Sequence, residues 1–180
     1  VAAAIGGRVL LRDIKYASSQ GDRVILDVVK QVGADVQELD NSIIIKKDRL
    51  DAFEIDATDC PDLFPPLVAL AVNCKGISRI TGIHRLLHKE SDRYLTLKEE
   101  FAKLGVSISR DGDTMLVPQT KCRGTVVNGR NDHRIAMALA VAGIQTEGYT
   151  LIEDWECISK SYPHFFEDLA AIGGSVADIN

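Results

Sequence analysis

Four short stretches of this 180-residue chain hold residue types suited to small anions: Asp59 and Asp62, Lys89-Glu90-Ser91-Asp92-Arg93, Asn131-Asp132-His133-Arg134, and Lys160. A guanidinium grips carboxylate or phosphate through two parallel hydrogen bonds and stays charged, whereas a lysine ammonium is a point charge suited to phosphate. An acid beside bound anions can have its pKa raised and serve as a proton donor, which makes Glu90 a candidate acid. The first three stretches also have a plain alternative. Asp59 and Asp62 could simply cap a helix before Pro65, Lys89 to Arg93 and Asp132 to Arg134 could be charged helix starts in solvent, and His133 alone could be structural.

The background sharpens the signal. The formal net charge is −5, which argues against a nucleic-acid or anionic-membrane surface, so these cations imply local attraction for a small ligand. With 46% hydrophobic and 26% charged residues the composition is that of one globular domain. No apolar run approaches the roughly 18 residues of a membrane span, and the start lacks the order of a signal peptide, so a cytoplasmic protein is expected. Cys60, Cys74, Cys122 and Cys157 are scattered without metal or disulfide spacing. The nucleotide, metal-hydrolase and nucleophile-elbow motifs are absent, so neither a metal nor a cofactor is expected.

The elements that position these residues follow from patterning. Asp92 to Leu104 predicts a helix with Leu95, Phe101 and Leu104 on its apolar side, Ser91 as N-cap and Gly105 as its stop. Lys89 and Glu90 then lie just outside the first turn and Arg93 within it, where free backbone N–H groups favour an anion. Asp62 to Cys74 and Asp132 to Ile144 are apolar all round and predict buried helices, and Val1 to Ile5 reads as the last turn of another. Strand openings at Gly7, Gly76 and Gly148 recur at offsets of 69 and 72 residues, and the glycine-marked segments at Gly33, Gly105 and Gly173 recur in step at 72 and 68. Tight turns are expected at Asp40-Asn41 and Asp111-Gly112-Asp113. The fold expected is α/β (α+β): three βαβαββ-like repeats, the last cut short, with buried helices meeting centrally and sheets outside. Gln20 to Arg23, Glu90 to Arg93 and Ser159 to Pro163 occupy equivalent loops and should emerge at one end. Ser161 is expected to cap a helix before Pro163.

The strings Asp56-Ala-Thr-Asp-Cys-Pro-Asp62, Lys89-Glu-Ser-Asp-Arg93, Asn131-Asp-His-Arg-Ile-Ala-Met137 and Ser159-Lys-Ser-Tyr-Pro163, in this order and spacing, closely resemble the 5-enolpyruvylshikimate-3-phosphate synthases, or 3-phosphoshikimate 1-carboxyvinyltransferases. The resemblance covers nearly all of the chain. It implies one enolpyruvyl transferase-type domain over residues 1–180, most of the C-terminal one of two, with the N-terminal domain absent. It also implies transfer of the enolpyruvyl group of phosphoenolpyruvate to the 5-hydroxyl of shikimate 3-phosphate with release of phosphate, on the route to chorismate and aromatic amino acids. Carried over by motif, Asp62 resembles the acid that contacts and helps deprotonate the hydroxyl. Glu90 resembles the proton donor to the methylene carbon, and Lys89 the lysine lining both ligands. Arg93 and Arg134 resemble the pair that holds the phosphoenolpyruvate carboxylate, Lys160 a phosphate contact, and His133 a neighbour of the site. Leu87 stands where many relatives place an arginine, and Arg85 where some use asparagine. The alternative reading as a UDP-N-acetylglucosamine enolpyruvyl transferase, which shares the fold, ranks below this one because that family lacks the Lys-Glu-Ser-Asp-Arg string. A non-catalytic anion-binding domain of the same fold would gain nothing from Asp62 and Glu90 in its pocket.

Overall fold

A computed structural model describes residues 1–14, 21–87, 89 and 92–177. The chain opens with one turn of helix, α1 (Ala2–Gly6), followed by strand β1 (Arg8–Arg12), a 3-10 turn at Gly21–Val24 leading into α2 (Ile25–Gln31), and the hairpin β2 (Asp35–Leu39) and β3 (Ser42–Lys46). These strands form an antiparallel sheet of order β1-β3-β2. Next come β4 (Glu54–Asp56), a 3-10 turn at Pro61–Leu63, α3 (Phe64–Ala71), β5 (Ile77–Thr81), a 3-10 turn at Ile83–Leu86, α4 (Arg93–Lys103), and the hairpin β6 (Ser109–Asp111) and β7 (Thr114–Pro118). The last stretch is β8 (Val126–Asn128), α5 (His133–Gly143), β9 (Leu151–Glu153), a 3-10 helix at Trp155–Lys160, and α6 (Phe165–Ala171).

Pairing recurs from sheet to sheet. In the second sheet, β4-β5-β7-β6, β5 runs antiparallel to β7 with β6 beyond, as β1 runs against β3 with β2 beyond. The parallel pairs β4–β5 and β8–β9 each enclose a buried helix, α3 and α5. A parallel pair requires such a crossover, and the crossover puts the helix start at the carboxyl end of the first strand. Asp62 and Asp132 stand at these two helix starts.

The packing explains why α3 and α5 are apolar on all sides. Pro65 and Pro66 occupy the first turn of α3, where a missing N–H breaks no helix bond, and Phe64, Leu67, Val68 and Leu70 are fully buried. α3 packs on α5, whose Ile135, Ala136 and Leu139 are likewise inaccessible. The sheets lie outside this pair and alternate in burial, with Ile43 and Ile45 of β3, Ile80 of β5, and Met115 and Val117 of β7 turned to the core.

Three local expectations differ from the structure. α4 is capped by Asp92, whose carboxylate accepts the Leu95 N–H at 3.1 Å; Ser91, the expected cap, lies outside the described residues. The buried stripe of α4 runs through Tyr94, Leu97, Phe101 and Leu104, and Leu95, two residues from Leu97 and so on the opposite side, is exposed. Ser161 caps no helix. Its N–H and that of Tyr162 both bond to the Ile158 carbonyl at the end of the 3-10 helix, so Pro163 falls in the connecting turn and α6 begins only at Phe165.

Candidate active site

Three helix starts meet on one carboxylate. Asp62, in the 3-10 turn before α3, accepts from Arg93 Nη1 at 2.7 Å, pairs with Arg134 Nη2 at 2.9 Å, and lies 3.4 Å from Lys89 Nζ. Arg93 belongs to the first turn of α4 and Arg134 to that of α5, so cations from separate parts of the chain converge where β4 and β8 end. Asp62 makes no capping bond, and its side chain remains about one-third exposed. Burial pushes its carboxyl up, but the Arg93 hydrogen bond and the charges of Arg134, Lys89 and Arg93 outweigh this and hold it below the ordinary aspartate value.

Arg93 is almost wholly buried, at 1% exposure, which such a side chain tolerates only with its charge matched. Asp132 supplies the match: its Oδ2 takes Arg93 Nε at 2.7 Å, and its Oδ1 lies 3.4 Å from Nη2. The same Oδ1 accepts the Arg134 N–H at 3.0 Å, so Asp132 is at once the N-cap of α5 and the anchor of Arg93. The cap expected of Asp132 is present, but it is buried rather than solvated.

Lys160, at the end of the 3-10 helix, is exposed and reaches the cluster through the loop before α5. Its Nζ donates to the Asn131 carbonyl at 2.9 Å and also to the Asn131 side-chain oxygen. Arg130 and Asn131 both adopt left-handed backbone, at φ 53° and 56°, a strained arrangement for two successive residues with side chains. Gly129 before them lies so close to the Asp154 carbonyl, Ala136 and Cys157 that a Cβ there would stand 2.8 Å from the carbonyl oxygen, which only glycine avoids. His133 is 9% exposed, and its Nδ1 has no hydrogen-bond partner among the described residues. Glu90 lies outside the described residues. Asp59 is exposed, as are Arg85 and Leu87.

The candidates brought together are thus Asp62, Lys89, Arg93 and Arg134, with Lys160 tied to the rim through Asn131. Two buried carboxylates hold this arrangement in ways that the sequence does not announce. Asp132 is more than a cap, and Glu100, inside α4, is completely buried and bonded to the loop that carries Asn131 and Asp132. Its position was the available signal, since Glu100 stands seven residues, two helical turns, beyond Arg93 and on the same buried face.

Residues 1–169 match the family profile described as EPSP synthase (3-phosphoshikimate 1-carboxyvinyltransferase). The 3-phosphoshikimate 1-carboxyvinyltransferase of Methanopyrus kandleri is 37% identical over 177 residues, covering 98% of this chain and 41% of the relative. That of Brachyspira hyodysenteriae is 42% identical over 178 residues, covering 97% of this chain and 42% of the relative. Among solved structures, EPSP synthase from Acinetobacter baumannii superimposes with a TM-score of 0.83 at 24% identity, over 97% of this chain and 44% of that one, a likeness of fold. The chain therefore spans about two-fifths of the length of the curated relatives it matches.

Proposed function

The chain belongs to the EPSP synthase family, and from that premise we propose that residues 1–180 form a single domain supplying one wall, the C-terminal half, of a 3-phosphoshikimate 1-carboxyvinyltransferase site. The observation that carries this reading is the Asp62 carboxylate held by Lys89, Arg93 and Arg134, because a seat that binds one carboxylate with three cations suits the carboxylate of phosphoenolpyruvate.

In the reaction so proposed, the 5-hydroxyl oxygen of shikimate 3-phosphate bonds to C2 of phosphoenolpyruvate. The hydroxyl proton leaves and a proton is delivered to the methylene carbon. Loss of phosphate and of a proton from that carbon then restores the vinyl group in the product. Asp62 is the base for the hydroxyl, Lys89 lines both ligands, and Glu90 is the proton donor to the methylene carbon. Arg93 and Arg134 hold the phosphoenolpyruvate carboxylate, and Lys160 contacts phosphate, with His133 beside them. The pairing of Asp62 with Arg93 and Arg134 gives the site an order of events. An incoming carboxylate displaces Asp62 from its cations, and a carboxylate freed from them regains basicity just as the substrate hydroxyl arrives. No metal or cofactor is required for this sequence of proton transfers.

The test is titration of the purified 180-residue chain with phosphoenolpyruvate and shikimate 3-phosphate, singly and together, followed by nuclear magnetic resonance of the arginine and lysine side chains. Shifts at Arg93, Arg134 and Lys160 without phosphate release are expected. Phosphate release by the chain alone would overturn the one-wall reading, and the absence of any shift would overturn the anion seat.

A further inference from the structure

α4 meets the loop before α5 at Arg93, whose bond to Asp132 belongs to the anion seat described above, and again two turns on, where exposed Glu99 lies 3.7 Å from Arg130 Nη2 and Glu100 beside it bonds the loop directly. The Glu100 side chain is fully buried, Oε2 accepts the Asn128 N–H at 2.9 Å and Lys103 Nζ at 2.6 Å, and Oε1 accepts Arg130 Nε at 2.8 Å. The loop is gripped on its other side as well. Gly129 N–H bonds to the Glu153 carbonyl at 2.8 Å, the Asn128 side-chain amide to the Glu153 carboxylate at 3.2 Å, and Asn131 N–H to the Asp154 carboxylate. Between these clamps stand the two left-handed residues, Arg130 and Asn131, which adopt that backbone only under constraint.

We propose that Glu100 is a positioning residue: its buried carboxylate, bonded to Asn128 and Arg130, holds the 128–132 loop in the conformation that presents Asp132 to Arg93 and Asn131 to Lys160. The importance of those two presentations rests on the anion-site reading; the clamp itself does not. A buried carboxylate neutralised by Lys103 and Arg130 is weak grounds for a stabilising role, since such pairs seldom improve on apolar packing. Its bonds to the loop, two turns along α4 from Arg93, are what a spacer between the seat and the loop requires.

Hydrogen exchange in the 180-residue chain tests this, with Glu100→Ala, Glu100→Gln and Arg130→Ala. Arg130 is half-exposed and its removal leaves Lys103 on the Glu100 carboxylate, so its variant should fold even where a Glu100 variant does not. Exchange of the Gly129 and Asn131 amides should rise about tenfold or more in Glu100→Ala and Arg130→Ala, while the amides of core helix α3 stay within about twofold. Acylation of Lys160 should accelerate alongside. Glu100→Gln, which keeps an acceptor for Asn128, should restore part of the protection, and combining Glu100→Ala with Arg130→Ala should add little to either. Unchanged loop exchange, or an equal rise in α3 and the loop, would overturn the proposal. Loosened loop amides in a chain whose wild type gives no phosphoenolpyruvate shifts would instead count against the anion site and leave the clamp standing.

Discussion

Replacing Asp62 by Asn removes the anion that Lys89, Arg93 and Arg134 share while keeping the shape of the side chain. Lys89 and Arg134 then meet an incoming anion with less competition, and buried Arg93 keeps Asp132 but no longer shares Nη1 with a carboxylate, so Asp62→Asn should bind phosphoenolpyruvate several-fold more tightly in a calorimetric titration of this chain. In the intact transferase the same change should cost about 10² to 10⁴ in kcat, the usual contribution of a positioned base; weaker binding in the first assay would show that Asp62 does not occupy the ligand's seat. Glu100 yields a prediction about pH. Burial pushes its carboxyl up, but the Lys103, Asn128 and Arg130 hydrogen bonds together with the Lys103 charge carry it below the ordinary glutamate value. A carboxyl depressed by folding contributes stability that is present above its unfolded value, about 4.3, and is lost as pH falls through the lower folded value. Urea melts of wild type and Glu100→Gln should therefore differ most near neutrality and converge in acid below that window, and a constant gap would mean that the Glu100 charge does not stabilise the fold.

At the scale of elements, Asp132 joins α5 to α4, since it caps one helix and anchors the first-turn arginine of the other. Asp132→Ala leaves Arg93 buried without the Asp132 part of its charge match, and should cost about 3 to 5 kcal/mol in denaturant unfolding. Asp132→Asn keeps an acceptor for the Arg134 N–H and so should recover the capping part, on the order of 1 kcal/mol; equal losses in both variants would mean that the cap contributes nothing measurable. The starts of α3, α4 and α5 were legible in the sequence because apolar runs begin there behind Pro, Asp and charged residues, and the hairpins at Asp40-Asn41 and Gly112-Asp113 were legible from turn chemistry. Their meeting was legible only through the repeat and the resemblance, because Asp62 is 31 residues from Arg93 and no local pattern joins them. Ser91 and Asp92 are adjacent and both able to cap, so which one does is decided by the backbone path and not by propensity. Glu100 was hidden by its neighbours: Lys98, Glu99 and Lys103 make that stretch read as a solvated face, although position 100 falls on the stripe of Leu97, Phe101 and Leu104.

Across the whole molecule, apolar burial is unevenly distributed. The main core runs from α1 through α3 and the second sheet to α5, whereas Ala136, Cys157 and Ile158, with Phe165 and Phe166 against them, form a small separate cluster. In α6 only Leu169 is buried, and Tyr149, Trp155, Ile172 and Val176 stand exposed. Elements with few buried contacts open locally at lower free energy than the core to which they are attached. Trp155, the single tryptophan, lies in this satellite with its ring edge-on to Phe166 at 5.7 Å between centroids, so its fluorescence reports on the satellite, while far-UV circular dichroism is dominated by the helices and sheets of the core. In urea the fluorescence transition should precede the dichroism transition, and coincident curves would show that the satellite unfolds with the core. The order matters for the proposed site because Lys160 ends the 3-10 helix of the satellite, whereas Asp62, Arg93 and Arg134 stand at the ends of core elements. The three core residues should therefore keep their mutual contacts over a range of urea in which Lys160 has already left Asn131. In that range the chain should retain the phosphoenolpyruvate shifts at Arg93 and Arg134 and lose the one at Lys160.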